Sequence, residues 1–275
     1  MPIILISRGT MSGVRLLVKS LTEHLGYRSV SREDLIARVN EHGEIANRIV
    51  EHLGKATRAY DQFSQLRRSY VILMRMALLE YIREDNLVYH GYSGHLLVAP
   101  MQHFLRVRIN APLPLRVQMT MDRLGCIEQA ARDHILTQDE ERGRWARFMY
   151  GRDIRDPGLY DVVVNLNRMP MHAVCMMLQA VAEEPQFATT PQTRQAVETL
   201  LLTTQIEAAI ATDPRTSALD VVAEADDKRV KLIGPWLEHK QCDEVLEIAA
   251  RVAGARELTY DSGYAPITEI PIETR

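Results

Sequence analysis

The sequence lacks the features that mark secreted, membrane-spanning and disulfide-stabilised proteins. Its three cysteines, Cys126, Cys175 and Cys242, are far apart and odd in number, so neither a disulfide framework nor a paired-cysteine zinc site is indicated. No run approaches the roughly 20 apolar residues that cross a bilayer. The apolar run at the N-terminus is too short for a signal sequence, and a basic residue follows it. We therefore expect a cytoplasmic protein with reduced thiols and no transmembrane segment.

A strong excess of either charge is also missing. The 33 lysines and arginines and the 36 acidic residues give a formal net charge of −3, so we expect no general affinity for nucleic acid. A phosphorylated ligand would need a local cluster of basic side chains. The nine histidines show no metal-ligand spacing, and we predict no metal site built from protein side chains.

What the chain does contain is the strand–loop–helix order that opens a nucleotide-binding α/β fold. Residues 2–7 form a short apolar run typical of a buried parallel strand, and residues 14–25 carry leucines at helical spacing. Glycines in the loop between them would allow backbone N–H groups to face phosphate oxygens, next to the positive end of the helix. The predicted phosphate-binding residues are Gly9, Thr10, Met11, Ser12, Gly13, Val14 and Arg15.

The rest of the chain predicts a larger α/β domain and a smaller module. Alternating strands and helices up to residue 183 imply a parallel sheet that is covered on both faces. Beyond a stretch rich in proline and threonine the order becomes helix, strand, strand, helix, strand, with a hairpin at Asp226-Asp227-Lys228. The predicted division is a domain at 1–184, a linker at 185–191, a small α+β module at 192–265 and a tail at 266–275.

A series of short segments carries a family resemblance through its order and spacing. The series is Ser7–Arg15, Leu25–Tyr27, Ser31–Ile36, Arg106–Pro112, Asp139–Arg142 and Gly158–Asn165. Over roughly residues 1–183 it resembles the cytidylate kinase-like family of P-loop proteins. That resemblance implies a nucleoside-monophosphate kinase fold, ATP and Mg²⁺ as cofactors, and a mobile helical lid that brings arginines over the transferred phosphate.

The resemblance also implies roles for individual residues. Arg15, Arg142 and Arg144 are the candidate catalytic arginines, with Arg147 as a further lid candidate and Asp139 as an orienting carboxylate. The same lid residues also fit an exposed helix held by ion pairs such as Asp139–Arg142. The candidate residues for binding the acceptor nucleotide are Arg8, Arg32, His90 and Tyr92, and His95 lies in the same glycine-rich stretch.

Three positions depart from the pattern that the resemblance implies. Val14 stands where a P-loop lysine is usual, and Arg15 stands where a Ser/Thr would contact magnesium. Tyr92 replaces the arginine of the Gly-Arg-Gly stretch that many relatives carry. These departures put the magnesium contact and the hold on the acceptor in question.

The C-terminal module resembles a BON domain over residues 196–262. The supporting stretches are Ile206–Ile210, Asp213–Thr216, Arg229–Gly234 and Ile248–Leu258. Such modules are associated with binding phospholipid or other ligands. Because the basic residues here are mixed with acidic ones, we expect a regulatory module that binds a protein or a small ligand.

Three functions remain open on the sequence. The first is an ATP-dependent phosphotransferase that acts on a nucleoside monophosphate. The second is a degenerate nucleotide-binding regulator, in which the BON-like module is the ligand or partner sensor. The third is a structural scaffold with an empty loop. The sequence leaves homo-oligomerisation open.

Overall fold

A computed structural model of the chain describes residues 2–43, 46, 48, 64–98 and 100–263. These residues form two compact units. The first contains the chain up to Asp34 and Glu84–Thr193, and the second contains Leu35–Arg83 and the described residues from Arg194 onward. The predicted tail at 266–275 lies outside the described residues. In the ranges that are described, no helix combines the length and the apolar character needed to cross a membrane.

The first unit is built around a five-stranded sheet in which every pairing is parallel. The strand order is β2-β3-β1-β4-β5, so the first strand lies at the centre. This arrangement confirms the predicted α/β fold with a parallel sheet. The strands are β1 (Ile3–Arg8), β2 (Arg28–Ser31), β3 (Leu87–Gly91), β4 (Phe104–Asn110) and β5 (Val162–Asn165).

Helices connect the strands of this sheet and make up much of the second unit. They are, in chain order, α1 (Val14–Leu25), α2 (Arg32–Asn40), α3 (Ser64–Ile82), α4 (Leu113–Leu124), α5 (Glu128–Tyr150), α6 (Met171–Ala182), α7 (Pro191–Thr212) and α8 (His239–Ala253). Ser31 caps the start of α2, because its hydroxyl accepts a hydrogen bond from the Asp34 N–H at 3.2 Å.

Alternation along the strands decides which side chains enter the core of the first unit. Ile4 and Ile6 of β1 and Val107 of β4 are buried in one cluster with Leu17 and Leu21 of α1. The intervening residues of each strand face the other side of the sheet. Polar residues at those intervening positions, close to the carboxyl ends of β1 and β4, are therefore placed where open α/β sheets bind ligands.

The second unit contains a three-stranded sheet in the order β6-β7-β8. Its strands are β6 (Val222–Ala225), β7 (Arg229–Ile233) and β8 (Glu257–Asp261). The β6–β7 pair is the predicted antiparallel hairpin, and β8 pairs parallel to β7. Ile206 of α7, Leu232 of β7 and Val245 of α8 meet in its core. The predicted element order is thus confirmed, whereas the relationship to BON domains stays a proposal.

Candidate functional site

The loop between β1 and α1 has the backbone conformation of a tight anion-binding turn. Gly13 precedes the helix with φ 76° and Met11 has φ 53°. A side chain at position 13 would be strained at this φ, and its Cβ would lie 3.4 Å from the Met119 methyl carbon. The Gly9 N–H donates to the Ile109 carbonyl at 3.2 Å, which fixes the start of the loop to β4.

Two hydroxyl groups in this loop are buried. Thr10 Oγ1 and Ser12 Oγ form no hydrogen bond with any residue that the structure describes, although buried polar groups in proteins are nearly always paired. The N-terminus of α1 also carries the positive end of the helix dipole. The loop therefore offers donors for phosphate oxygens.

A second anchor of the loop comes from α4 and α5. Arg116 donates from Nε to the Thr10 carbonyl at 2.6 Å and from Nη2 to Asp139 Oδ2 at 2.6 Å. The Thr10 N–H in turn donates a hydrogen bond to Asp139 Oδ1 at 3.3 Å. The predicted Asp139–Arg142 ion pair is absent among the described contacts, and Asp139 instead joins the loop to Arg116.

Five arginines of the first unit, which we call the arginine cluster, lie close enough to influence one another electrostatically. Among the residues that the structure describes, none of them forms an ion pair. Arg8 is electrostatically coupled to its neighbours Arg15 and Arg123, and Arg142 to Arg8 and Arg108. The members are Arg8, Arg15, Arg108, Arg123 and Arg142.

Burial makes it more costly in free energy to keep the arginines of this cluster charged. Desolvation is the main cause that lowers the pKa of Arg8, with the charges of Arg15 and Arg123 adding to it and that of Glu33 opposing it. Desolvation likewise lowers the pKa of Arg142, followed by the charge of Arg8. The buried Nε of Arg8 has no acceptor. A bound polyanion would satisfy this donor and neutralise the cluster.

Tyr92 lies between two arginines. The guanidinium carbon of Arg32 is 5.5 Å from the ring centroid and that of Arg142 is 5.3 Å from it. Both distances are within cation–π range. The Ser7 hydroxyl donates to the Tyr92 carbonyl at 3.0 Å and so fixes this loop to β1. The aromatic ring thereby contacts both Arg32 and Arg142.

The two histidines of the glycine-rich stretch are both held neutral. Burial lowers the pKa of His90, and the charge of Arg8 lowers it further. Burial lowers the pKa of His95 to about 3, with Arg108 and Arg106 contributing. His95 contacts the Tyr160 ring at 4.7 Å between centroids. Neither ring therefore adds positive charge to the cluster near pH 7.

The structure brings only some of the predicted residues to the loop. The Val14 side chain is buried in the hydrophobic core, so only its backbone can face a phosphate. Arg15 is exposed at the start of α1. Arg144 pairs with Glu140 at 3.9 Å, and Arg147 pairs with Asp153 at 3.6 Å. Arg144 thus behaves as a residue of a solvated helix.

Sequence reasoning missed Arg108 and Arg116. Arg116 looks like an ordinary polar residue of α4, about a hundred positions from the loop that it contacts. Arg108 gave a signal, since an arginine in the middle of a strand of a sheet covered on both faces must be buried or paired. It is only 9% exposed.

The residues at the loop fit a nucleoside triphosphate better than a metal ion that is bound by protein side chains. The unpaired hydroxyls, the free helix N–H groups and the arginine cluster are all suited to phosphate oxygens. Both oxygens of Asp139 are engaged, and within the described ranges no group of three His, Cys, Asp or Glu side chains converges. Mg²⁺ would then be held chiefly by phosphate oxygens and water, as it often is.

Comparison with known proteins agrees with this geometry. The family model described as the cytidylate kinase-like family matches residues 3–168. A cytidylate kinase of Ignicoccus hospitalis is 27% identical over 176 residues, which cover 63% of this chain and 95% of that protein. One of Pyrococcus horikoshii is 21% identical over 172 residues, covering 62% and 83% respectively. Among solved structures, an uncharacterized protein from Eubacterium ventriosum has a TM-score of 0.53 at 16% identity, covering 67% of this chain and 99% of its own.

Proposed function

The chain belongs to the cytidylate kinase-like family, and from that membership we propose that it transfers the γ-phosphoryl group of ATP to a nucleoside monophosphate. The observation that carries the proposal is the set of arginines beside the glycine loop that form no ion pair with any residue that the structure describes. Phosphoryl transfer requires positioning and charge neutralisation more than covalent chemistry by the protein. Arginines that lack carboxylate partners supply that neutralisation.

Each part of the site has a role in this proposal. The backbone of residues 9–15 and the N-terminal end of α1 bind the ATP phosphates. Arg8 and Arg142 neutralise the charge that spreads over the transferred group, and Arg15 contacts a phosphate from the solvent side. An oxygen of the acceptor phosphate forms the new bond to the γ-phosphorus as the bond to the departing ADP breaks. Magnesium, when bound, screens the phosphate charges.

The acceptor is held by the opposite wall of the site. We assign this role to Arg32, His90 and Tyr92, which lie at the carboxyl ends of β2 and β3. Tyr92 takes the place of a positively charged residue by recruiting Arg32 to its ring. His90 is neutral and its buried Nδ1 has no partner, so it can accept or donate a hydrogen bond to a base or sugar.

A nucleotide-binding regulator is the second candidate. The burial of Val14, the exposure of Arg15 and the lack of a hydroxyl at position 15 favour it. In this view the first unit binds nucleotide without turnover, and the C-terminal BON-like module binds a protein or a small ligand. We expect no nucleic-acid partner in either case.

Formation of ADP from Mg-ATP in the presence of nucleoside monophosphates separates the two functions. The panel begins with CMP and dCMP, and a reaction without acceptor measures background hydrolysis. The kinase proposal predicts acceptor-dependent ADP formation well above that background. If folded protein binds ATP in calorimetry yet makes no ADP with any acceptor, the regulator is the correct function.

A further inference from the structure

Arg108 is a buried cation whose described partners are all neutral. Its Nη1 donates to Ser7 Oγ at 2.8 Å and its Nε to Asn110 Oδ1 at 3.1 Å. The ring of Tyr160 lies 6.0 Å from its guanidinium carbon, and burial raises the pKa of the Tyr160 hydroxyl. An arginine removed from water without a counter-charge costs several kcal/mol. This cost is offset when an anion occupies the site.

A small cavity opens beside this guanidinium. Its volume is about 80 Å³, which accommodates a group of a few heavy atoms and is too small for a nucleoside. Arg155 adds a second guanidinium to its wall, 73% exposed and paired with Asp153 at 2.7 Å. The lining residues are Arg108, Asn110, Arg155, Pro157, Tyr160 and Val163.

We propose that this cavity, the Arg108 subsite, binds one phosphate or carboxylate oxyanion. The guanidinium carries five N–H donors, and at most three are used by Ser7, Asn110 and Tyr160. At least two therefore remain for charge-assisted hydrogen bonds to an anion. Asn110 accepts from Arg108 through Oδ1, so its amide NH₂ is also free to donate. The subsite goes beyond the proposed function because its occupancy does not require phosphoryl transfer.

Calorimetric titration of inorganic phosphate into the full chain, at constant pH and ionic strength, tests the subsite. We expect two classes of phosphate site, one at the glycine loop and one at the Arg108 subsite. Arg155→Gln should weaken phosphate binding at the Arg108 subsite about tenfold, because one charged donor is lost. Arg108→Gln should abolish binding at that subsite. Arg15→Gln should weaken phosphate binding only at the glycine loop.

The matched control is Arg132→Gln, which removes an arginine of α5 that is 39% exposed and paired with Glu128. It should leave both classes unchanged. If Arg108→Gln does not fold by circular dichroism, the exposed Arg155→Gln decides the question. Titrations of the Arg108 and Arg155 variants that superimpose on the wild type, with folded protein, overturn the proposal.

A competition experiment distinguishes the two sources of such an anion. If the oxyanion belongs to the acceptor, CMP competes with phosphate for the Arg108 subsite. Arg155→Gln then lowers the affinity for CMP by about the same factor as the affinity for phosphate. If it is free phosphate, phosphate binds with unchanged affinity when CMP is saturating. Both results support the subsite. Both are binding measurements, so they do not depend on whether the protein has kinase activity.

Discussion

The two units of the molecule differ in how some of their arginines are paired. In the first unit, five arginines at one edge of the sheet have no carboxylate partner among the described residues. In the second unit, Arg83 pairs with Glu198, and Arg229 pairs with Glu257. Exposed pairs of this kind contribute little to stability but leave no net attraction for a ligand. Unpaired arginines reduce stability and keep their charge available for an anion.

The largest expected effect concerns two neighbouring arginines of α5. Arg142→Gln should lower kcat/KM for ATP-dependent phosphorylation of the acceptor by at least about 100-fold, because it removes a charge that stabilises the transition state. The matched control Arg144→Gln removes an arginine that pairs only with Glu140 in the described contacts. It should change kcat/KM little. Equal losses in both variants would show that α5 contributes through its general charge and not through the placement of Arg142.

A smaller effect is expected from the loop that presents Tyr92. The Tyr89 side chain packs flat against Gly94, and an added Cβ there would overlap the ring. Gly94→Ala should therefore lower the free energy of unfolding by about 1–3 kcal/mol in urea titrations. The control is Gly143→Ala, in the middle of α5, where the nearest atom to an added Cβ is Arg147 Nη1 at 3.6 Å. That change should be neutral or slightly stabilising, and a loss equal to that of Gly94→Ala would contradict the steric explanation.

Acid should destabilise the first unit through His95. Its folded-state pKa is about 3, below the ordinary value of about 6.5, so between these values the unfolded chain binds a proton that the folded chain does not. The stability present above pH 6.5 is therefore lost as the pH falls, by up to about 1.4 kcal/mol per pH unit. His95→Gln should flatten this dependence in urea titrations from pH 6.5 to 4. An unchanged slope would place the acid sensitivity elsewhere.

Most of the fold could be predicted from the sequence, because strand and helix periodicities are local signals. The apolar run at 2–7 and the leucine spacing at 14–25 correspond to β1 (Ile3–Arg8) and α1 (Val14–Leu25). The sequence did not predict that α3 belongs to the same unit as the C-terminal elements. A helix with apolar residues on all sides does not indicate which elements pack against it. The predicted division at 185–191 stays a prediction.

The candidate site was less predictable, because it depends on contacts between distant residues. Arg8 was selected to replace the charge of the arginine that is missing at Tyr92, and Arg142 for its place in the family pattern. The charge of Arg8 lowers the pKa of Arg142, so the two lie close together. Arg144 was selected on the same ground, but its helical position directs it to Glu140 instead. Arg108 and Arg116 were missed, since their roles follow from register and from a contact across about a hundred residues.

The smallest effect is expected in the second unit. Arg229→Gln removes one side of an exposed ion pair, in which the arginine is 71% exposed. We expect no measurable change in the urea midpoint or in nucleotide affinity. A clear loss of nucleotide affinity would break the contrast between the two units and assign the second a direct part in binding.

The most direct test of the account is a calorimetric comparison of ATP and adenosine binding to the full chain. The two ligands share the base and the ribose, so their difference measures the contribution of the phosphates. If the arginine cluster binds those phosphates, ATP should bind at least about 100-fold more tightly than adenosine, the equivalent of about two charged hydrogen bonds. Arg142→Gln should reduce that ratio, whereas Arg144→Gln should not. Equal affinities for ATP and adenosine, measured on folded protein, would contradict the central claim that the cluster is a phosphate site.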